Sequence, residues 1–369
     1  MPSVFDLEFH RGGVFLPRLG LWLDAHHRVT GPELAFVSHA HSDHTGSHRE
    51  VVLTAATARL MRARGARPGR ENVLQFGERR AFDAGGLRFT LTLLPAGHIL
   101  GSAMAFVEAG GESLLYTGDF KLRAGLAAET CLPQRADWLV MESTFGRPQY
   151  RMPPAAEVRS VLLRFCGDAL ARGATPVLLA YSLGKTQELL RLLEGADLRV
   201  TLHEAAWEMT RIYEEFGHRF APYDRHASGS LPTGVVICSA MSGTKARARH
   251  AGAVRTAVIT GWAIDSSCRF RHGTDAAFPL SDHADFPELI EMARKVAPKK
   301  VYTLHGFAAD LAHSLREAGF DAQALSEPEQ FQFTFNLATN LQSSGREISQ
   351  NAECSEWPAS AHASMRSPR

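Results

Sequence analysis

Three imidazoles and a carboxylate fall close together in Ser38-His39-Ala40-His41-Ser42-Asp43-His44, directly behind the apolar run Leu34 to Val37. Neutral imidazole and carboxylate are borderline and hard ligands that suit Zn²⁺ or Mn²⁺. A loop leaving a buried strand lets residues at spacings of two and one project to two sides of one point, so these four groups can be shared between two adjacent metals. Such a string behind a strand rarely arises by chance. Further candidates stand in the same context. His98 lies in Pro95-Ala96-Gly97-His98, Asp119 in Thr117-Gly118-Asp119, and Glu142-Ser143-Thr144 behind Trp138 to Met141. His283 lies in Ser281-Asp282-His283, and His305 closes Val301 to Leu304. Repeated loop ends of this type converge on one rim of a sheet, where sites on layered folds tend to sit. Taken singly, His98 or His305 reads equally well as a satisfied polar residue at a strand end. Of the 17 histidines, His10, His48, His203, His218, His226, His250 and His313 read as surface or packing residues, and His26 and His27 fit either reading.

The elements that must position these groups change character near residue 150. Before it, short β-type runs at 14–16, 21–25, 34–38, 51–54, 87–94 and 113–117 are separated by turn signals, with one clear helix near 56–64. The glycine pairs Gly85-Gly86 and Gly110-Gly111 fit hairpin turns because glycine tolerates positive φ. After it, helix and strand alternate. Val158, Val161, Leu162 and Phe165 recur at helical spacing behind Pro153-Pro154. Strands are expected at 176–180, 235–239 and 257–260, and helices at 186–193 and 204–216. This reads as an α/β layer of its own. A helix at 287–296, a strand at 300–304, a helix at 308–318 and a run at 322–325 follow. The end of the chain is polar and aperiodic, which predicts disorder.

A chain of 369 residues with 45 % hydrophobic and 21 % charged residues has the profile of a soluble globular enzyme. No apolar run reaches the length of a membrane span, and Met1 to Asp6 has no leader character, so a cytoplasmic location is expected. The five cysteines, Cys131, Cys166, Cys238, Cys268 and Cys354, form no Cys-x-x-Cys pair and read as mostly buried small apolar residues. The net charge of +1 conceals a basic middle: residues 147–255 hold 15 Lys plus Arg against 10 Asp plus Glu. That surplus suits a polyanionic partner.

The string at 38–44, Gly97-His98, Gly118-Asp119 and His305 resemble the metal-binding motifs of the metallo-β-lactamase superfamily, which glyoxalases, lactonases and lactamases share. Glu142-Ser143-Thr144, then a long insert, then Ser281-Asp282-His283 and Leu304-His305-Gly306 resemble the β-CASP nucleases more narrowly. Within that group, Tyr181 to Glu188 and Leu280 to Phe286 are most similar to small bacterial members described as ligase-associated DNA exonucleases or RNA-processing-factor-like exonucleases. The resemblance spans about residues 5 to 330.

It implies an α/β fold: a metallo-β-lactamase αββα sandwich split over 1–147 and 262–335, an inserted α/β β-CASP cap over 148–261, and a disordered tail over 336–369. It also implies two divalent metal ions, Zn²⁺ ahead of Mn²⁺. His39, His41 and His98 would hold one, Asp43, His44 and His305 the other, with Asp119 bridging. Such a pair activates water and neutralises charge growing on phosphorus. Asp24 would orient a histidine ligand from behind. His283 would protonate the leaving oxygen with Glu142 as its partner, so His283, Glu142, Asp119 and Asp43 form the catalytic set. Phosphate contacts are expected from Ser143, Thr144, Lys185, Ser239, Lys245, Arg247 and Arg249, with Arg255, Arg269 and Arg271 as further cations.

The function implied is a two-metal phosphodiesterase trimming single-stranded ends of DNA or RNA, since a cap-lined cleft favours a threaded strand. A ligase or helicase partner follows from the resemblance alone. RNA-acting members keep a histidine where His305 stands, yet the small bacterial DNA exonucleases also keep it, and DNA is slightly favoured. The competing readings are an ester or lactone hydrolase, which needs neither the basic insert nor the His283 and Glu142 pair, and a non-catalytic nucleic-acid scaffold, which would be expected to have lost ligands.

Overall fold

The structure, a computed structural model, describes residues 4–325 apart from 11, 85, 227–231 and 240–252. The tail expected over 336–369 lies outside the described residues, as do Lys245, Arg247 and Arg249. Short runs build the first layer: β1 (Glu8–His10), β2 (Gly13–Leu16), β3 (Leu21–Leu23), β4 (Leu34–Phe36), β5 (Glu50–Leu53) and β6 (Arg70–Val73), paired in that order, with β2 to β5 burying alternate or nearly all side chains. Helix α1 (Ala55–Ala63) packs on its outer face. The second layer begins with β7 (Arg79–Phe82), β8 (Phe89–Pro95), β9 (Ala103–Ala109), β10 (Glu112–Tyr116) and β11 (Trp138–Glu142). Antiparallel β9 and β10 turn through Gly110-Gly111 at φ +57° and +83°, the pair of positive angles that a two-residue hairpin turn requires.

The insert follows. Helices α2 (Ala155–Ala171), α3 (Lys185–Leu193), α4 (Glu204–Glu215) and the short α5 (Cys268–Arg271) accompany a third sheet of β12 (Thr175–Leu179), β13 (Val200–Leu202), β14 (Tyr223–Arg225), β15 (Val235–Cys238), β16 (Val254–Ile259) and β17 (Ala276–Phe278). Its order is β14-β13-β15-β12-β16-β17, and every pairing is parallel. Leu178 and Ile237 face α2 and α3, while Val177, Leu179 and Val236 form a separate cluster on the other side, so both faces are apolar as in buried parallel sheets. The sheet runs on to Phe278, past residue 261 where the cap was expected to end. The chain then returns through α6 (Phe286–Val296), β18 (Lys300–Leu304), α7 (Ala308–Glu317) and β19 (Ala322–Ala324), and β18 and β19 complete the second layer beside β11.

The inner faces of the first two sheets share one core, including Leu21, Phe36, Leu91, Val107 and Tyr116. Helices α6 and α7 cover the second sheet's outer face through Leu289, Met292 and Leu311. The first sheet's outer face is covered by α1 and, from the insert, by Met209, Ile212 and Tyr213 of α4. This is the αββα sandwich with an inserted α/β cap. Of the strands that sequence patterning passed over, β6, β7 and β14 are mostly polar edges with no buried alternate face, β1, β13 and β17 are only three residues long, and β9 is buried almost throughout and so shows no alternation. Among the described residues no helix is long and apolar enough to cross a membrane.

One cap ties α1 to the loop that carries His98. The Thr54 hydroxyl accepts from Thr57 N at 3.1 Å and lies 2.8 Å from the carbonyl of Gly101. Thr54→Ala is expected to cost about 1–2 kcal/mol, read as a lower urea midpoint at unchanged m value.

Candidate metal centre and proton donor

Asp24 follows β3 in a left-handed conformation, φ +48°, and is fully buried. Its Oδ1 accepts from Ser38 N at 2.7 Å, and its Oδ2 accepts from Ser38 Oγ at 2.6 Å, His44 Nδ1 at 2.9 Å and Tyr116 OH at 3.0 Å. Burial and the adjacent carboxylate keep the Tyr116 hydroxyl protonated, its pKa raised well above the usual value. These bonds decide which ring nitrogens face the cleft. Ser38 gives its proton to Asp24, so its oxygen accepts from His39 Nδ1 at 2.9 Å and leaves His39 Nε2 with a lone pair. His44, donating through Nδ1, turns Nε2 toward Asp43 and Asp119. His41 turns Nε2 to the carbonyl of Leu183 at 3.3 Å, and His98 turns Nδ1 to the carbonyl of Asp282 at 3.0 Å. Fixing the far nitrogen in this way aims the near one.

The aimed nitrogens converge. His41 Nδ1 lies 3.1 Å from both His39 Nε2 and His98 Nε2, and these atoms share one neighbourhood with Asp119. Asp119 Oδ2 stands 3.4 Å from His39, 3.5 Å from His44 and 3.7 Å from His98, between the two halves of the cluster. Burial, together with the neighbouring imidazoles, lowers the pKa of His39 well below its ordinary value and that of His98 to about 3. Burial lowers that of His41 too. Burial would protonate Asp119, but His44 and His283 hold its carboxyl well below the usual range. Three neutral imidazoles presenting lone pairs at this spacing repel one another unless a cation lies between them. The donor set therefore fits a divalent metal ion.

A second group borders the first. His44 Nε2 is 3.5 Å from Asp43 Oδ2 as well as from Asp119. His305, at φ +60°, presents a buried Nε2 with no hydrogen-bond partner, and burial and the nearby His44 lower its pKa to about 4. An orphaned acceptor of that kind fits a metal ligand. Its ring edges onto His44 and stacks on His26, centroids 5.6 Å apart. His26, which the sequence left open, thus belongs to the site. The signal was its place two residues behind Asp24 on the same strand exit.

Glu142 ends β11 and His283 follows the third sheet. The carboxylate accepts from Phe120 N at 2.8 Å and holds His283 Nδ1 at 3.0 Å. Burial opposes charge on this imidazole, but Glu142 and Asp119 outweigh it and raise its pKa to about 10. His283 therefore holds a proton beside the ligand cluster, 3.9 Å from Asp119 Oδ2.

Two expected phosphate contacts are corrected. Ser143 is fully buried, and its hydroxyl is directed at the carbonyls of Leu304 and His305, fixing the strained turn that carries His305. Lys185 is buried, and its ammonium donates to Leu280 O at 3.0 Å and Asp282 Oδ1 at 2.7 Å, which steadies the carbonyl that aims His98. Thr144 and Ser239 are half-buried at the ends of β11 and β15. Of the other cations, Arg255 lies 3.9 Å from Asp275 and over the Phe165 ring, Arg271 pairs with Asp265 at 2.5 Å, and Arg269 covers Phe270. The thiols of Cys131, Cys166 and Cys238 are pushed up by burial to about 12, as inert packing residues should be.

Comparison with known proteins agrees with this geometry. Residues 29–155 match the family described as the metallo-beta-lactamase superfamily. A protein of Opitutus terrae named "Probable DNA ligase" is 47 % identical over 331 residues, which is 89 % of this chain and 32 % of that protein. The "5' exonuclease Apollo" of Gallus gallus is 27 % identical over 74 % of this chain and 59 % of its own length. The "Transcription termination factor FttA" of Methanocaldococcus jannaschii is 33 % identical over 34 % of the chain and 22 % of its own length. The chain thus spans about a third of the length of the Opitutus protein. A crystal structure of a protein of unknown function from Enterococcus faecalis V583 shares the fold, with a TM-score of 0.51 at 14 % identity over 80 % of this chain and 79 % of that one. Residues 29–155 thus carry a metallo-β-lactamase superfamily domain, and the chain is similar to nucleic-acid-processing proteins that include an exonuclease.

Asp24→Asn would present an amide where four donors now converge, loosening His39 and His44 together. Metal affinity is expected to fall by about 10- to 100-fold, measured by chelator competition. Glu142→Gln removes the charge that holds His283 protonated. In the metal-free protein the His283 pKa should therefore fall from about 10 toward the ordinary histidine range, followed by NMR of the ring protons.

Proposed function

We propose that this protein is a two-metal phosphodiesterase that trims single-stranded nucleic-acid ends, with DNA as the favoured substrate. The observation that carries the reading is Asp119 Oδ2, placed within 4 Å of His39, His44, His98 and His283 at once. His39, His41, His98 and Asp119 would hold one divalent ion and Asp43, His44, His305 and Asp119 the other, Zn²⁺ being preferred and Mn²⁺ the alternative. Bound there, the ions would supply an acidified water and offset the negative charge of the phosphate.

The chain's own residues do the rest. Asp24 and Ser38 keep His39 and His44 in register, and Glu142 fixes His283 through Nδ1. The other ring nitrogen of His283, Nε2, then carries a proton toward the cleft and gives it to the leaving oxygen. An imidazole that keeps its proton at neutral pH suits that task better than it suits metal binding. The insert, expected over 148–261 and extended by β17, would roof the cleft and guide one strand. A substrate of DNA is supported by the name of one relative, a probable DNA ligase, and trimming from an end by that of another, a 5' exonuclease. The first of these names also supports a ligase as partner, and the cytoplasm is proposed as compartment from the sequence alone.

The test is cleavage of matched, end-labelled single-stranded DNA and RNA by metal-loaded protein, with Asp119→Ala as the blank. A metal-dependent ladder on DNA is expected, weakening as salt rises. A ladder on RNA alone would reassign the substrate, and silence on both strands with two metals bound would overturn the nuclease reading. His283→Ala should keep both metals and lose about 10²- to 10⁴-fold in turnover, while metal loss by elemental analysis would move His283 among the ligands.

A further inference from the structure

Beside the proton donor lies a group of aromatic rings that the reaction itself does not use. Phe145 follows the Glu142 strand end, and its ring is 6.2 Å from that of His283. Trp262, on the turn after β16, packs against Phe145 at 4.7 Å and against Tyr150 at 5.5 Å. Tyr150 in turn stacks on Phe307 at 5.5 Å with planes 21° apart, and the Arg147 guanidinium lies 4.1 Å over Phe307.

The group is built, not incidental. A Cβ at Gly261 would come within 2.5 Å of the Phe145 ring, so the backbone carrying Trp262 is pressed against it. The amide of Phe307 is tied to the carbonyl of Ser143 at 2.8 Å, and the carbonyl of Tyr150 accepts from Phe286 N at 3.0 Å. These anchors hold the rings at fixed distance from Glu142, His283 and His305. Yet Trp262 remains 39 % exposed, an unusual amount for a tryptophan with three aromatic neighbours. Rigid backing and an exposed aromatic ring are the requirements of a nucleobase stacking platform, which accepts any base because every base has a π-face.

We infer that Trp262, backed by Phe145, Tyr150 and Phe307, stacks the base of the nucleotide on the leaving side of the scissile phosphate. The inference rests on the nuclease reading, and it adds that the substrate must offer an unpaired base at that position. His283 fixes the side, because it hands its proton to the leaving oxygen and Phe145 extends from it directly to the indole. Arg147, which pairs with Asp310 at 3.1 Å, covers the far end of the same surface. The platform thus selects for single strands without selecting sequence.

The experiment uses phosphorothioate-protected single-stranded oligonucleotides that carry 2-aminopurine at successive positions from either end. The metal-loaded wild-type protein should quench the fluorophore at one position. Trp262→Ala should abolish that quenching and weaken binding about tenfold, and Trp262→Phe should retain most of both. Equal quenching in wild type and Trp262→Ala, or no quenched position in the wild type, would overturn the inference. Failure of the wild type to cleave unprotected strands would sink the nuclease reading separately, since the fluorescence profile requires no cleavage.

Discussion

Everything at the site depends on a buried carboxylate that reaches across the two layers of the sandwich. Asp24 leaves the first sheet and gathers Ser38 from the next strand, Tyr116 from the second sheet and His44 from the ligand loop. A carboxylate taken out of water without partners is severely penalised, and this one is compensated only when all four donors are in place. The same bonds that make its burial tolerable set the ring orientation of His39 and His44. Site geometry and sandwich registration are therefore one constraint, and the left-handed backbone at Asp24 is the local strain it imposes.

The histidines divide by environment. Those backed by neutral partners, His39 on a hydroxyl and His41 and His98 on carbonyls, are driven neutral by burial. Those facing carboxylates, His44 and His283, are held protonated in spite of it. For His44 a bound cation and the proton compete for Nε2. For His283 the Glu142 carboxylate takes Nδ1, leaving the other nitrogen committed to carrying a proton. Chemically identical side chains thus acquire distinct duties from what stands behind them.

Many of the strands, the inserted α/β layer and the polar residues at the strand ends were legible in the sequence because each is written locally, as an apolar run followed by a polar chemistry-bearing residue, whereas the sandwich arrangement was implied by the family resemblance. The hairpin at Gly110-Gly111 was legible for the same reason. What could not be read were relations between segments far apart in the chain. Lys185 looks like a phosphate contact until Asp282, almost a hundred residues on, is seen to occupy it at 2.7 Å. Ser143 looks available until β11 is paired with β18 and its hydroxyl meets the Leu304 carbonyl. Tyr116 carries no motif at all, and only the packing of both sheets brings it to Asp24. Polar edge strands such as β6 and β14 failed for a different reason: without a buried face they have no periodic signal.

The interruption of the second sheet also has a consequence for the order of assembly. Strand β11 is made before the insert and its partner β18 after it, with Trp138 facing Lys300 across the gap. His283 and His305 lie beyond the insert as well. A nascent chain that has completed the first sheet, the His39 to His44 loop, His98 and Asp119 therefore still lacks His283 and His305. Synthesis has to pass the whole parallel sheet before the cluster can close, so a prematurely released fragment carries most of its residues but not the two that complete it.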